Sequence, residues 1–230
     1  VLTPVGDYAG EARAIRKLLR AAWRRAGARS QRRSVLDLGA GAGHLLNHLT
    51  KDFDAVAVDL SPDMAQQCRQ LNPLVQCVVG DMRSIRLGRV FDAVLIHDAI
   101  DYMSREEDVL LALRTASAHL ETGGLLLVAP TYVRETFIDH QAEHDSLACG
   151  DKQLTYLSYI HDPDPDDDCF ELVLVVLVDE RGVVRVEEDR HVCGLFSFNK
   201  WLTMLEDAGF AVQPGADSDH PSTVFVAVKR

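Results

Sequence analysis

The amino-acid sequence predicts a doubly wound α/β fold, with a mostly parallel sheet of seven strands and an antiparallel β-meander inserted after the fifth. Three observations predict it. From residue 34 to 129 short apolar strands alternate with amphipathic helices, which implies crossover connections between parallel strands. A glycine-rich turn, Gly39-Ala-Gly-Ala-Gly43, joins the first strand to the helix behind it. Between about 153 and 195 three β-rich runs follow one another with no helix between them. A chain of 230 residues can bury a full core, so 1–230 reads as one domain with an insert at about 132–195.

The elements follow in order. Ile15, Leu18, Leu19, Ala22 and Trp23 recur at helical spacing between Tyr8 and Ala26, with Gly27 as a stop. Ser34–Leu38 is a strand, Gly43–Lys51 a helix and Ala55–Leu60 a second strand. Ser61-Pro62 supplies a cap and a first-turn proline for a helix to about Leu71. Val75–Val79 and Phe91–Ile96 are strands, and Ser104-Arg-Glu-Glu107 reads as a capping box opening a helix to about Leu120. Gly123-Gly124 punctuates before the strand Leu125–Ala129. The meander comprises Leu154–Ile160, Phe170–Val178 and Val183–Val192, separated by the acidic loop Asp162–Asp168 and the turn Glu180-Arg-Gly182. A helix near Asn199–Ala208 and strands near Phe210–Gln213 and Thr223–Lys229 close the chain.

Composition excludes several classes. The net charge is −11, and nine basic residues stand within residues 1–33 against Asp7 and Glu11, so the remainder is more acidic still. Such a body is a poor match for a nucleic-acid backbone. The basic segment reads as a solvated helix face. No apolar run reaches membrane-spanning length, and the first residues lack a signal-peptide pattern. Five scattered cysteines without a C-x-x-C pair argue against a disulfide framework or a thiolate zinc site and fit the cytoplasm.

The chemistry begins at Val35-Leu-Asp-Leu-Gly-Ala-Gly-Ala-Gly43, where glycines let a ligand approach the backbone between a buried strand and a helix. His44 breaks the G-x-G-x-x-G pattern of dinucleotide oxidoreductases. Asp59 ends the second strand, where a carboxylate can accept both hydroxyls of a ribose. Gly80-Asp81-Met82 follows the third strand, Phe91–Asp98 forms the fourth, and His119-Leu-Glu-Thr-Gly-Gly124 precedes the fifth. This ordered set resembles class I S-adenosylmethionine-dependent methyltransferases. The resemblance implies a cofactor site of Tyr8, Asp37, Gly39, Ala40, Gly41, Asp59, Leu60, Met64, Asp81, Met82 and His97. S-adenosyl-L-methionine is then the methyl donor and S-adenosyl-L-homocysteine the product.

A closer resemblance is to bacterial N,N-dimethyltransferases of nucleotide-linked amino sugars. It rests on Asp7-Tyr8-Ala-Gly-Glu-Ala12, residues 80–93, Val128-Ala-Pro with Glu135-Thr-Phe137, and His191 with Leu195-Phe196. It implies a small polar acceptor and a homodimer to which the inserted sheet contributes. The sequence departs at Ile96-His-Asp-Ala-Ile-Asp-Tyr102, where that subfamily has small, serine-containing residues. N-methylation of an amine is the preferred reaction, since an amine needs only a neutral lone pair. O-methylation of a hydroxyl or carboxylate, which needs a base or a metal, is the alternative. A catalytically silent S-adenosylmethionine-binding or interaction protein would carry the same cofactor residues.

His97, at a strand end beside the glycine loop, is the first candidate for a catalytic base, ahead of His140, His144 and His191. Asp98, Tyr102, Tyr132, His140, His144 and His191 are the candidate acceptor-binding residues. His140 and His144 stand at i and i+4, one face of a helix if that segment is helical and half of a metal site. Gln141 occupies the place of a zinc-protease glutamate, so no metal is expected.

Overall fold

The computed structural model describes residues 5–25, 33–213 and 224–230. After a 3₁₀ turn at Val5–Tyr8 come α1 (Ala9–Arg25), β1 (Arg33–Leu38), α2 (His44–Leu49), β2 (Phe53–Asp59), α3 (Pro62–Leu71), β3 (Gln76–Val79) and β4 (Phe91–His97). A second 3₁₀ turn, Ala99–Tyr102, leads to α4 (Glu106–Ala118) and β5 (Leu120–Ala129). The insert is β6 (Gln141–Cys149), β7 (Lys152–His161), β8 (Cys169–Glu180) and β9 (Val183–Gly194), and α5 (Phe198–Asp207), β10 (Phe210–Val212) and β11 (Phe225–Lys229) complete the chain.

The main sheet has seven strands in the order β10-β11-β5-β4-β1-β2-β3. β3, β2, β1, β4 and β5 run parallel, while β11 lies antiparallel between β5 and β10. The doubly wound, mostly parallel expectation therefore holds, and its switch point lies between β1 and β4. Alternating residues supply two core layers. Val35, Ala93, Leu95, Leu125 and Leu127 pack beneath Ala12, Ile15, Leu19 and Ala22 of α1. Leu36, Val94, Ile96, Leu126 and Val128 face Val109, Leu113, Trp201, Met204 and Leu205 of α4 and α5. Each large apolar side chain so buried stabilises the fold by about 1.5–3 kcal/mol.

Polar groups pin the elements that carry the site. Ser61 caps α3 by accepting from the Met64 N–H at 3.3 Å, which presents Met64 in the first turn. Buried His119 bonds the Thr115 carbonyl through Nδ1 at 2.8 Å and accepts from the Leu87 N–H at Nε2 at 3.0 Å, so Nδ1 carries the proton. Arg16 and Arg20 of α1 pair with Asp52 at 2.6 and 2.5 Å, so both serve the scaffold beside β2.

Several local expectations are corrected. The capping box does not form: Arg105 is the cap residue of α4, with no side-chain cap. Gly123 and Gly124 lie inside β5, where the pairing with β4 shifts register, instead of before it. The insert has four strands, not three, because residues 141–149 form β6. Alternation there is masked by a polar sequence whose side chains are mostly exposed. Gly27 and Thr223, read as a helix stop and a strand start, lie outside the described residues.

The insert is docked through Ile160, Phe170, Cys193 and Leu195, which pack with Tyr132 and Phe137. A Cβ at Gly194, the last residue of β9, would stand 2.5 Å from the Met103 carbonyl oxygen and 2.7 Å from the Phe196 ring. Gly194→Ala is expected to destabilise the protein by about 1–3 kcal/mol through overpacking. The melting temperature should fall by roughly 3–10 °C, and an unchanged melting temperature in calorimetry would contradict this packing.

Candidate active site

Two neighbouring cavities open at the carboxyl ends of the parallel strands. The first, about 460 Å³, is lined by Tyr8, Asp37, Gly39–Gly41, His44, Asp59, Ser61, Met64, His97, Asp98 and Tyr102, among others. The second, about 300 Å³, lies between the Ala99–Tyr102 turn, residues 131–132 and the insert, and shares Asp98 and Tyr102 with the first. A larger cavity of about 560 Å³ sits at the amino ends of the strands, around Ser34, Phe53, Gln76 and Phe91. That is the wrong end of an open α/β sheet for its ligand.

The glycine loop divides its labour. A Cβ at Gly39 would collide with Ala99 and Met82, and one at Gly43 would reach within 2.5 Å of Cys68 Sγ, so both are glycines for packing. Gly41, with φ +54, has nothing within 4 Å of its missing Cβ, and its backbone borders open space on the cavity. Its N–H donates to Asp59 Oδ2 at 2.7 Å, while Ser61 N–H donates to Asp59 Oδ1 at 2.9 Å. Asp59 thus holds loop and helix cap together, with lone pairs left on both oxygens. Asp37 is 2% exposed, and burial pushes its carboxyl up to about 7.

His97 crosses from strand to helix. Its Nε2 lies 2.7 Å from Glu11 Oε1 on α1, and its Nδ1 lies 3.1 Å from Asp98 Oδ2. Burial opposes charge on the ring, but the hydrogen bonds of Asp98 and Glu11 outweigh it and raise the pKa to about 10. Asp98 occupies φ 45, ψ −47, a strained conformation for a residue with a side chain. Both ring nitrogens thus face carboxylates, an arrangement that favours the protonated ring over the base role expected of His97.

Tyr8, Asp37, Gly39, Ala40, Gly41, Asp59, Met64 and His97 all line the first cavity. Leu60, Asp81 and Met82 do not. Leu60 is 67% exposed, Met82 is buried against Gly39, and Asp81 is gripped by the Arg83 guanidinium at 2.7 Å, which holds its carboxyl below the usual range. Asp98, Tyr102 and Tyr132 line the second cavity. His191 stands outside its lining, its ring edge-on to Tyr102 at 5.4 Å. His140 is exposed, with Nδ1 2.6 Å from the Tyr159 hydroxyl. His144 is exposed on β6. His140 sits in the turn before β6 at φ 59 and His144 within the strand, so the helix that would set them on one face is not formed. Among the described residues no cluster of three or more His, Cys, Asp or Glu side chains is placed to hold a metal.

The sequence reading missed Glu11, Asp101 and Glu143. Asp101 and Glu143 line the second cavity. Glu11 lies 86 residues from His97, and no local pattern joins them.

The comparisons decide the family. A methyltransferase-domain profile matches residues 35–124. A dTDP-3-amino-3,4,6-trideoxy-alpha-D-glucopyranose N,N-dimethyltransferase of Streptomyces venezuelae is 31% identical over 209 residues, covering 90% of this chain and 85% of the relative. The chain belongs to the class I S-adenosylmethionine-dependent methyltransferases. A second relative, the dTDP-3-amino-3,6-dideoxy-alpha-D-glucopyranose N,N-dimethyltransferase of Streptomyces fradiae, is 29% identical across 80% of this chain and 73% of its own. The sugar N-methyltransferase KedS8 of Streptoalloteichus sp superposes on the methyltransferase with a TM-score of 0.86 at 30% identity, over 97% of this chain and 88% of that one.

The first cavity suits the methyl donor on its own geometry. Its volume is that of a small-molecule site, Gly41 opens the backbone to it, and Asp37 and Asp59 present carboxylates to a cationic ligand with a diol. The His97 tie carries a testable sign. With a folded pKa of about 10 against an ordinary 6.5, its stabilisation is complete below pH 6.5 and lost as pH rises through 10. The stability advantage of the wild-type methyltransferase over His97→Asn should therefore shrink between pH 6 and pH 10 in urea titrations. A constant difference would show that His97 is neutral.

Proposed function

We propose that the enzyme transfers methyl groups to the amine of a small polar molecule, an amino sugar being the class that fits best. The observation that carries this is the acidic second cavity, where Asp98, Asp101 and Glu143 stand around an opening walled by Tyr102 and Tyr132. Carboxylates of this kind attract and desolvate an ammonium, and they would repel a carboxylate acceptor. The printed activities of the Streptomyces relatives, both N,N-dimethyltransferases of dTDP-amino sugars, support the same class.

S-adenosylmethionine supplies a methyl carbon activated by a sulfonium, which leaves as a neutral thioether when the acceptor's electron pair displaces it. In this reading Asp59 accepts from the ribose hydroxyls while continuing to hold Gly41 and Ser61. Asp37 and Tyr8 serve the amino-acid end, and Met64 packs beside the nucleoside. His97 stays protonated. It positions Asp98 and ties α1 over the donor by way of Glu11, so that the cavity closes on the water side. Leu60, Asp81 and Met82 would contribute at the margin, Asp81 through lone pairs that Arg83 leaves free. Catalysis is then alignment of donor and acceptor, with one proton removed per methyl group.

Transfer of labelled methyl groups to a panel of amines, alcohols and carboxylates, with and without divalent metal, is the direct test. Metal-independent methylation of amino sugars is the expected outcome; methylation confined to hydroxyl acceptors would overturn the amine reading. Saturation of the wild type with S-adenosylhomocysteine at 100 times its Kd should add about 2.7 kcal/mol of stability, or roughly 5–10 °C in melting temperature. Asp59→Ala should lose that protection, and retention of it would remove Asp59 from the donor site.

A further inference from the structure

One buried carboxylate serves neither the glycine loop nor the His97 tie. Asp101 lies in the turn after β4, is 8% exposed and lines the second cavity. Its two oxygens share the Thr131 N–H at 3.2 and 3.1 Å and are also bonded by the Thr131 side chain, which leaves lone pairs for a ligand in the cavity. Asp98, Tyr102, Thr131, Tyr132, Glu143 and Cys193 line the same cavity, and His97 is near enough to act on its charge. Burial raises the Asp101 carboxyl to about 7, opposed by hydrogen bonds from the Thr131 side chain and N–H, with Asp98 adding to the rise and His97 opposing it. Burial also pushes the Cys193 thiol up to about 12 and raises the phenols of Tyr102 and Tyr132, so these neighbours stay neutral.

We propose that Asp101 binds the acceptor's ammonium and takes its proton, which rests on the N-methyltransferase reading above. In that step an ammonium N–H bond breaks and an O–H bond forms on Asp101. The electron pair stays on nitrogen and is the one methyl transfer consumes. The resulting acid returns the proton to water before the next turn. A carboxyl titrating near neutrality can do both, since it is ionised when the amine arrives and does not trap the proton. A carboxyl at the ordinary aspartate value would be far too weak a base for an amine.

The test compares wild type with Asp101→Asn, which keeps an acceptor for the Thr131 N–H, using dTDP-3-amino-3,6-dideoxyglucose as probe. Binding of S-adenosylhomocysteine should be unchanged. Calorimetric binding of the probe, with S-adenosylhomocysteine present, should weaken about tenfold at pH 8, and kcat/KM should fall by about 100-fold or more with loss of the inflection near pH 7. An aminooxy analogue, already neutral at pH 7, should be methylated equally by both proteins. Equal rates and pH profiles on the amino sugar would overturn the role of Asp101 while leaving amine methylation standing. Failure of the wild type to bind or methylate either amine, with S-adenosylhomocysteine bound, would overturn the amine reading and this inference together. If the variant loses S-adenosylhomocysteine protection and so does not fold, the wild-type Asp101 carboxyl resonance decides. It should titrate near neutrality and shift on adding the probe, and an unresponsive resonance overturns the proposal.

Discussion

The parallel pairing of β1 with β4 is the constraint on which the site depends. From β1 the chain winds outward through β2 and β3, and from β4 it winds the other way through β5. Loops after the two central strands therefore part in opposite directions and leave a crevice that neither helix layer covers. Gly39 to Ala42 line one wall and His97, Asp98, Ala99 and Tyr102 the other, held in register by Val35, Leu36 and Asp37 against Ala93, Val94 and Leu95. The packing of Gly39 against Ala99 and Met82 brings those walls to contact distance.

Charge then organises the crevice. Glu11, Asp37, Asp98 and Asp101 stand within reach of the buried His97 ring, and Asp59 and Glu143 line the two cavities beside it. Taking so many carboxylates from water is costly, and the molecule meets the cost in two ways. Some are hydrogen-bonded by backbone N–H groups, as Asp59 is by Gly41 and Ser61. Others, Asp37 and Asp101, are raised by burial until their charge depends on what binds beside them. A site of this kind is suited to cationic ligands.

The first cavity was largely legible in the sequence, and the second only in Asp98, Tyr102 and Tyr132. Gly39, Gly41 and Asp59 announce themselves because each answers a local backbone demand: a tight turn, a left-handed residue, a strand end. The second cavity draws residues from the turn after β4, from 131 and 132, and from all four strands of the insert, separated by up to 95 positions, and no local periodicity marks such a set. The histidines 140 and 144 are a case in point: their spacing suits one face of a helix, but His144 lies in β6, paired with β7, and His140 stands just before that strand at φ 59.

By itself the sequence determined the order of strands and helices, the glycine loop, the Ser61 cap and the acid ending β2, since these follow from alternation, backbone freedom and capping within a few residues. Only the tertiary structure decided the protonation of His97, the grip of Arg83 on Asp81, the fourth strand of the insert and the burial of Asp101. Those depend on neighbours distant in the chain, whose approach sets the local dielectric and the hydrogen-bond partners. A side chain's identity is written at one position, whereas its charge is set by everything packed against it.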